Sequence, residues 1–276
     1  AGTKYNWQFN TAREAELNNR KMFWPRGKGL GGSSSINGMV YIRGHAADYD
    51  SWRQEGNVGW GYDDVLPYFK KSMNQERGQD DYHGVGGPLN VKDGTSGMPI
   101  HDKFIKAGVQ AGYPYNPDFN GAEQEGVGPI QLTKIGNQRC SAARGYLTPI
   151  IDRKNLTVET NARLIKIVVA DGRATGVEYL HKGEAKKRDA SREVLLCAGA
   201  VQSPQLLKLS GIGNAEELES HGIDCVHELP GVGENLQDHL DIVVQFHAEA
   251  SSTLQKFSKW YNVAYAGIRY LLLGDG

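Results

Sequence analysis

Cysteine, net charge and long apolar runs are all scarce in this sequence. Its 276 residues include 3 cysteines, too few and too odd in number for a disulfide framework, so we expect a reducing compartment. Lys and Arg number 31 against 32 Asp and Glu, which argues against nucleic-acid binding through bulk charge. No apolar run approaches the ~20 residues that span a bilayer, which excludes a membrane-spanning protein.

Glycine, in contrast, is abundant, at 35 of 276 residues against ~7% in a typical protein. Without repeats or low complexity, this abundance indicates tight turns and close approach of the backbone to a ligand, as in nucleotide-binding folds. The sequence opens at Ala1 without a Met or a targeting signal and stops at Gly276 just after an apolar stretch. We therefore expect a middle piece of a longer chain.

Apolar spacing predicts three short helices in the first half, over Asp48 to Gln54, Tyr62 to Met73 and Ile100 to Ala111. The polar, glycine-rich stretches 75–100 and 112–128 are predicted to be loops. The first of these loops has a length that is often seen in lids.

Strand patterns follow Asn155, over Leu156 to Thr160, Leu164 to Ala170 and Ala174 to Leu180. Asp171-Gly172 between the last two predicts a hairpin turn, so the three strands should form an antiparallel meander.

The apolar run from 193 to 200 predicts a strand buried on both faces, as in a parallel sheet. It leads into a predicted helix with Ser203 as N-cap, Pro204 at its first position and Gly211 at its end. A strand, a glycine turn and a helix N-terminus in this order would direct free backbone amides at an anion.

The segment Gly27 to Asn37 admits several interpretations. It satisfies G-x-G-x-x-G, but Pro25 lies where a dinucleotide fingerprint needs a strand, so we reject that motif. No serine of Ser33 to Ser35 has glycine two residues away on both sides, so a nucleophile elbow is also unsupported. A surface turn remains open. The other interpretation is a glycine turn feeding a helix, with the three serines as caps and the amides cradling a diphosphate or a flavin edge.

Two long motifs carry a family resemblance. The run Gly27 to Gly44 resembles the first signature of the glucose-methanol-choline (GMC) oxidoreductases, and Gly199 to Gly213 resembles the second, in the family's order and separation. Asp81 to Gly84 and Gly231 to His239 also resemble family segments. The likeness covers essentially the whole chain, and it is closest to the bacterial alcohol and choline dehydrogenases.

The resemblance implies an α/β fold (α+β overall), in which a Rossmann-like FAD-binding domain is interleaved with an antiparallel-sheet substrate domain, both incomplete here. The implied segments are 1–60 for FAD binding, 61–150 for a lid and substrate-side insertion, 151–240 for the return of the FAD-binding domain, and 241–276 for the start of the substrate-binding domain.

The resemblance also implies the cofactor contacts. Gly31, Gly32 and Ser33 would approach the FAD diphosphate and ribityl chain. Leu164 would meet adenine through its backbone, and Ala198 and Gly199 would lie near the cofactor. The residues implied to line the flavin ring are Asn37, Gly38, Met39 and Val40. Relatives with covalent FAD carry a histidine just before this asparagine, and this chain has Ile36 there, so we expect a non-covalent flavin.

The catalytic histidine and the segment that holds the ADP half of FAD are expected outside the chain, after Gly276 and before Ala1. Within the chain, His239 is the best remaining histidine for a supporting role at the substrate. Six others are expected to be surface or structural residues: His45, His83, His101, His181, His221 and His227.

Asp241 occupies the position where choline-oxidising relatives carry a glutamate that faces the trimethylammonium group. A carboxylate one methylene shorter would sit ~1.5 Å further back, which favours an uncharged primary alcohol over choline. Asp238, His239 and Asp241 cannot all point one way on a strand, so we expect no metal.

The leading hypothesis is a piece of an FAD-dependent alcohol dehydrogenase that transfers a hydride from a primary alcohol to the flavin and releases an aldehyde. The alternatives are a choline dehydrogenase, a flavin-containing hydroxynitrile lyase on the same scaffold, and a non-catalytic fragment. The electron acceptor, quinone or oxygen, is left open. No nucleic-acid partner is expected, and we expect a cytoplasmic location or peripheral association with the inner membrane.

Overall fold

The structure is a computed structural model that describes residues 3–94, 98–239, 243–245 and 258–273. It divides into two compact units. The first unit comprises Ala1–Leu156 and Phe246–Gly276, and the second comprises Thr157–Gln245. Helices and strands are mixed in both units, as the predicted α/β class requires.

The described helices and strands are short. The helices are α1 (Ala46–Gln54), α2 (Tyr62–Ser72), α3 (Pro99–Gln110), α4 (Gly199–Leu209), α5 (Ala215–Ser220) and α6 (Trp260–Leu273). The strands are β1 (Phe9–Asn10), β2 (Phe23–Trp24), β3 (Val40–Tyr41), β4 (Met73–Gln75), β5 (Leu89–Asp93), β6 (Gln131–Leu132), β7 (Lys134–Ile135), β8 (Gln138–Arg139), β9 (Ala162–Ala170), β10 (Arg173–His181), β11 (Glu184–Asp189), β12 (Ile212–Gly213) and β13 (His227–Glu228).

The first unit is organised around a four-stranded sheet of order β3-β6-β5-β4. Met73 and Val91 on this sheet are fully buried. Several polar side chains are buried in the same unit, including Arg43, His83 and Asn120. Because buried polar groups need hydrogen-bond partners, much of this unit is held together by side-chain contacts between its loops. The predictions of α1, α2 and α3 are confirmed to within two residues.

The predicted loop over 75–100 is wrong in its middle, because β5 forms there and pairs with β4 and β6. Apolar and polar side chains alternate only from Leu89 to Lys92, over four positions. The strand lies parallel to β4 and antiparallel to β6, so it depends on tertiary contacts that a local pattern cannot reveal.

The second unit contains an antiparallel meander of order β11-β10-β9. The predicted hairpin is confirmed: Asp171 and Gly172 have φ of 51° and 73°, as a type I′ turn requires at both central positions. The prediction of the outer strand is wrong, however. Residues 156–160 form no strand, and the third strand is β11, reached through a second turn of positive φ at Lys182-Gly183.

Helix α4 follows residues 193–198, in which no strand is described, so the predicted buried strand over 193–200 is wrong. Leu195 is 76% exposed, since no described strand pairs with it. The helix begins at Gly199, four residues before the predicted cap, and Pro204 therefore lies inside it. Its end is confirmed at Ser210-Gly211, where Gly211 has φ +79°.

Candidate functional site

The glycine-serine motif forms a tight turn in the first unit. Gly31 and Gly32 have φ of 83° and 52°, the left-handed region that glycine enters without strain. Gly32–Ser35 then form a four-residue 3-10 helix, where the motif predicted that a glycine turn leads into a helix. Gly27 lies so close to the turn that a β-carbon there would be 2.1 Å from the carbonyl oxygen of Gly32. The sequence thus needs glycine here for close packing of backbone on backbone.

The three serines support this turn instead of capping amides at its start, which corrects their predicted role. Ser33 Oγ accepts a hydrogen bond from the Gly27 N–H at 3.1 Å. Ser34 Oγ donates to the Gly31 carbonyl and accepts from the Ala142 N–H at 2.8 Å. Ser35 Oγ donates to the Leu30 carbonyl at 2.9 Å. The hydroxyls are thus used within the fold, and the Gly32 and Ser34 N–H groups donate to the Gly29 and Gly31 carbonyls. What the turn offers to a ligand is the open space beside Gly32.

Asn37, Gly38 and Met39 continue from the turn into β3. Asn37 Oδ1 accepts a hydrogen bond from the Met39 N–H at 3.0 Å. Met39 has φ +64°, a backbone conformation that residues other than glycine, Asn and Asp seldom adopt. A β-carbon added at Gly38 would have no protein atom within 4 Å, so this glycine borders open space. Val40 follows, half exposed, in β3.

Residues on and beside β7 and β8 hold the turn from its other side, and no sequence motif pointed to them. The Thr133 N–H donates to the Met39 carbonyl at 2.9 Å. Arg139 Nη1 donates to the Ser34 carbonyl at 3.1 Å and to Asn37 Oδ1 at 2.6 Å. These contacts span about a hundred residues of sequence, so only the folded chain brings them together.

A cavity of about 350 Å³ adjoins the glycine-serine turn. Lys28 and Gly32 are among its lining residues, with Leu30, Ser35 and Ile36. A β-carbon at Gly29 or Gly32 would likewise meet no protein atom within 4 Å. A positive side chain beside open glycine backbone suits an anionic group. The residues present therefore fit the diphosphate and flavin edge that the motif implies.

The remaining predicted cofactor residues lie in the second unit. Leu164 is half-buried in β9 opposite Tyr179 of β10. Ala198 is the N-cap residue of α4. Gly199 has φ +90°, and a β-carbon placed on it would meet no protein atom within 4 Å. The open glycine at a helix N-terminus leaves room for close approach of a ligand.

His239 is exposed, and its N–H donates to Asp238 Oδ1 at 2.9 Å. Asp241 lies outside the described residues. The role of both at a substrate therefore stays a prediction.

His83 is the histidine whose pKa is perturbed among the described residues, and it lies away from the predicted cofactor contacts in sequence. Its ring is 2% exposed, with Nδ1 2.8 Å from Asp80 Oδ1. Nε2 is 3.3 Å from Asp118 Oδ2, close enough for an ion pair although without hydrogen-bond geometry. The Asp118 carboxylate raises the pKa of His83, and Asp80 adds to this effect, whereas burial of the ring opposes it. This histidine fits the structural role that the sequence indicated.

Comparison with known proteins identifies the family. Residues 8–241 match the sequence profile of a family described as GMC oxidoreductase. The chain belongs to the GMC oxidoreductases. This confirms the family that the two glycine-rich motifs indicated, and FAD is the cofactor of the group to which the chain belongs.

Curated GMC relatives include two bacterial proteins named as choline dehydrogenases. The chain is 49% identical over 280 residues to oxygen-dependent choline dehydrogenase 1 of Chromohalobacter salexigens, covering 100% of this chain and 50% of the relative. It is 48% identical over 281 residues to oxygen-dependent choline dehydrogenase of Escherichia coli, again covering 100% and 50%. The chain thus spans about half the length of the curated relatives it matches.

Solved structures agree on the fold. Pyridoxine 4-oxidase from Mesorbium loti matches with a TM-score of 0.78 and 34% identity, over 82% of this chain and 45% of that one. An FAD-dependent oxidoreductase from Chaetomium thermophilum matches with a TM-score of 0.89 and 29% identity, over 99% of this chain and 50% of that one. Within the described residues, no helix has both the length and the apolar character to cross a membrane.

Proposed function

We propose that this chain forms part of an FAD-dependent enzyme that oxidises a primary alcohol to an aldehyde. The observation that carries the proposal is the glycine-serine turn with open space at Gly32 and Gly38, in a chain of the GMC family. FAD, when bound, supplies the acceptor for the hydride that leaves the alcohol carbon. The chain's own residues bind and orient that group.

Within this proposal, Gly31, Gly32 and Ser33 receive the diphosphate and ribityl part, because Gly32 lines the cavity and a β-carbon on it would meet no protein atom within 4 Å. Lys28, on the same cavity, adds a positive charge next to the phosphates.

The flavin ring would lie along Asn37, Gly38, Met39 and Val40, where Gly38 leaves the space that a side chain would fill. Leu164, Ala198 and Gly199 are proposed to contact the adenine half and the cofactor's edge. Ile36, at the cavity wall, has no nucleophilic atom for a covalent link to the flavin, so the cofactor is proposed to be non-covalent.

A substitution pair tests the placement of the ring. Gly38→Leu should slow flavin reduction by the alcohol by at least about tenfold, because the new side chain occupies space assigned to the ring. Gly267→Leu in α6 is the matched control, since a β-carbon there also meets no protein atom within 4 Å. Stopped-flow absorbance of the holoenzyme, mixed anaerobically with substrate, measures the rate. Equal rates in the two variants would refute the placement.

Choline is the second candidate substrate, and the names of the relatives favour it. Asp241 favours an uncharged alcohol instead, since its side chain is one methylene shorter than the glutamate of choline-oxidising relatives. Comparing kcat/KM for choline with that for a medium-chain alkanol decides between them. A choline preference that Asp241→Asn abolishes would assign choline, and indifference to that substitution would remove Asp241 from the substrate site. His239→Ala, measured in the same way, tests the supporting role of His239.

The anaerobic experiment also tests the reaction class. Substrate bleaches the flavin of an oxidoreductase, whereas a hydroxynitrile lyase would leave it oxidised.

Because the relatives are named as oxygen-dependent, molecular oxygen is proposed as the electron acceptor. Consumption of oxygen during turnover supports this acceptor, and a strict requirement for a quinone refutes it. The proposed location is the cytoplasm or the periphery of the inner membrane, which cell fractionation with and without high salt tests.

A further inference from the structure

Arg139 makes a bridge between two parts of the glycine-serine motif. From β8, its Nη1 donates to the Ser34 carbonyl at 3.1 Å and to Asn37 Oδ1 at 2.6 Å. The second contact is short, as expected for a hydrogen bond with a charged donor. One guanidinium nitrogen therefore ties the end of the 3-10 turn to the first residue of the segment assigned to the flavin ring.

The same asparagine oxygen also controls the backbone beyond it. Asn37 Oδ1 accepts from the Met39 N–H at 3.0 Å, and Met39 has φ +64°. A methionine in this region is strained and persists only when its surroundings hold it there. Arg139 fixes the asparagine oxygen on one side, and Thr133 fixes the Met39 carbonyl on the other. Gly38 lies between the two points that are held.

Arg139 has no competing carboxylate in the part of the chain that the structure describes, where the ion pairs engage other cations such as Arg77 and Lys208. Its side chain is half-buried. Both acceptors of its Nη1, the Ser34 carbonyl and Asn37 Oδ1, are neutral oxygens. No carboxylate among the described residues therefore draws the guanidinium away from them.

We propose that Arg139 is a positioning residue, which holds Asn37, Gly38 and Met39 in the conformation that receives the flavin ring. The proposal rests on the proposed function, because it assumes that the flavin ring lies along this segment. Arg139 is not assigned contact with the substrate; it acts through Asn37.

Arg139→Gln in the holoenzyme tests the proposal, with Arg153→Gln as the same chemical change at an exposed arginine. The readouts are the dissociation constant of FAD, the absorption spectrum of the bound flavin, and kcat and KM for the alcohol. Because Arg139→Gln loses a charged hydrogen bond, we expect the dissociation constant of FAD to rise about tenfold or the rate of flavin reduction to fall about tenfold. The flavin spectrum should shift, KM should change by less than about twofold, and Arg153→Gln should match the wild type.

The spectrum and the split between kcat and KM separate this role from a general loss of stability. If Arg139→Gln fails to fold, Arg139→Lys, which keeps the charge and one donor group, is measured in the same way and should show the same changes to a smaller extent. The proposal is wrong if the folded variant matches Arg153→Gln in FAD affinity, spectrum and reduction rate. A wild-type protein that binds no FAD, or whose flavin no alcohol reduces, would instead refute the proposed function.

Discussion

The strongest prediction for stability concerns the buried His83 and its two carboxylates. Asp118 is 19% exposed and lies 3.3 Å from Nε2, whereas Asp80 is 58% exposed and lies 2.8 Å from Nδ1. Asp118 also lies 3.6 Å from Arg77 Nη1. The two acids thus contact one imidazole from opposite ring nitrogens but differ in burial and in their second partner. Replacing each by asparagine removes the charge and keeps the shape.

Asp118→Asn should lower the free energy of unfolding by about 2–3 kcal/mol. Breaking a fully buried ion pair costs ~3–5 kcal/mol, and partial exposure reduces the cost here. The variant also keeps an oxygen to accept from the Asn120 N–H and from Gln131 Nε2. Asp80→Asn should cost only about 0.5 kcal/mol, because solvent screens this exposed carboxylate.

The pH dependence gives the sharper test. The pKa of His83 is raised, so its pairing stabilises the fold fully below the ordinary value of about 6.5 and is lost as pH rises through the raised value. Burial raises the pKa of Asp118, but His83 and the Asn120 N–H outweigh it, and the net pKa is lowered. The pKa of Asp80 behaves likewise, with His83 and two backbone amides outweighing burial. The carboxylate contributions are therefore present above about pH 4 and are lost on further acidification.

Thermal unfolding at about pH 6 and about pH 9 measures the effect, at roughly 2–4 °C per kcal/mol for a unit of this size. The cost of Asp80→Asn should fall as pH rises, since His83 is its charged partner, and what remains should be the small contribution of the Tyr82 and His83 N–H groups that donate to the carboxylate. The cost of Asp118→Asn should fall but persist, because Arg77 stays charged. Equal costs for the two variants, or costs that grow with pH, would refute the ion-pair explanation.

Two further predictions concern the second unit. Gly211→Ala should destabilise it by about 2 kcal/mol or more, because the residue has φ +79° and its β-carbon would lie 2.5 Å from the Asp224 carbonyl oxygen. Gly222→Ala, at φ +70° with nothing within 4 Å, should cost only the strain of about 1 kcal/mol, and equal midpoints in urea would contradict this difference. Ser210→Ala should cost about 1–3 kcal/mol, because its buried Oγ accepts from the Ile167 N–H at 2.8 Å and thereby links α4 to β9. Ser220→Ala, whose hydroxyl is exposed, should change stability by less than about 0.5 kcal/mol, and a loss as large as that of Ser210→Ala would refute the role of burial.

The local elements of this protein and its family membership are encoded in short stretches of the amino-acid sequence. Helices α1 to α3 follow from apolar spacing, and the Asp171-Gly172 turn follows from residues that tolerate positive φ. The two glycine-rich motifs identify the GMC family because they are long and occur in a fixed order. Each of these signals can be recognised without knowing what the segment contacts in the folded chain.

Features that depend on distant partners arise only when the chain folds. β11, which is rich in charged residues, forms because it pairs with β10 along six positions, although its composition does not indicate a strand. The run at 193–200 looks like a strand but has no described partner, and its residues before α4 stay unpaired. Arg139 reaches Ser34 across 105 positions, and His83 reaches Asp118 from a different loop. No local pattern records such pairs, because the energy that holds them depends on the approach of two segments that only folding brings together.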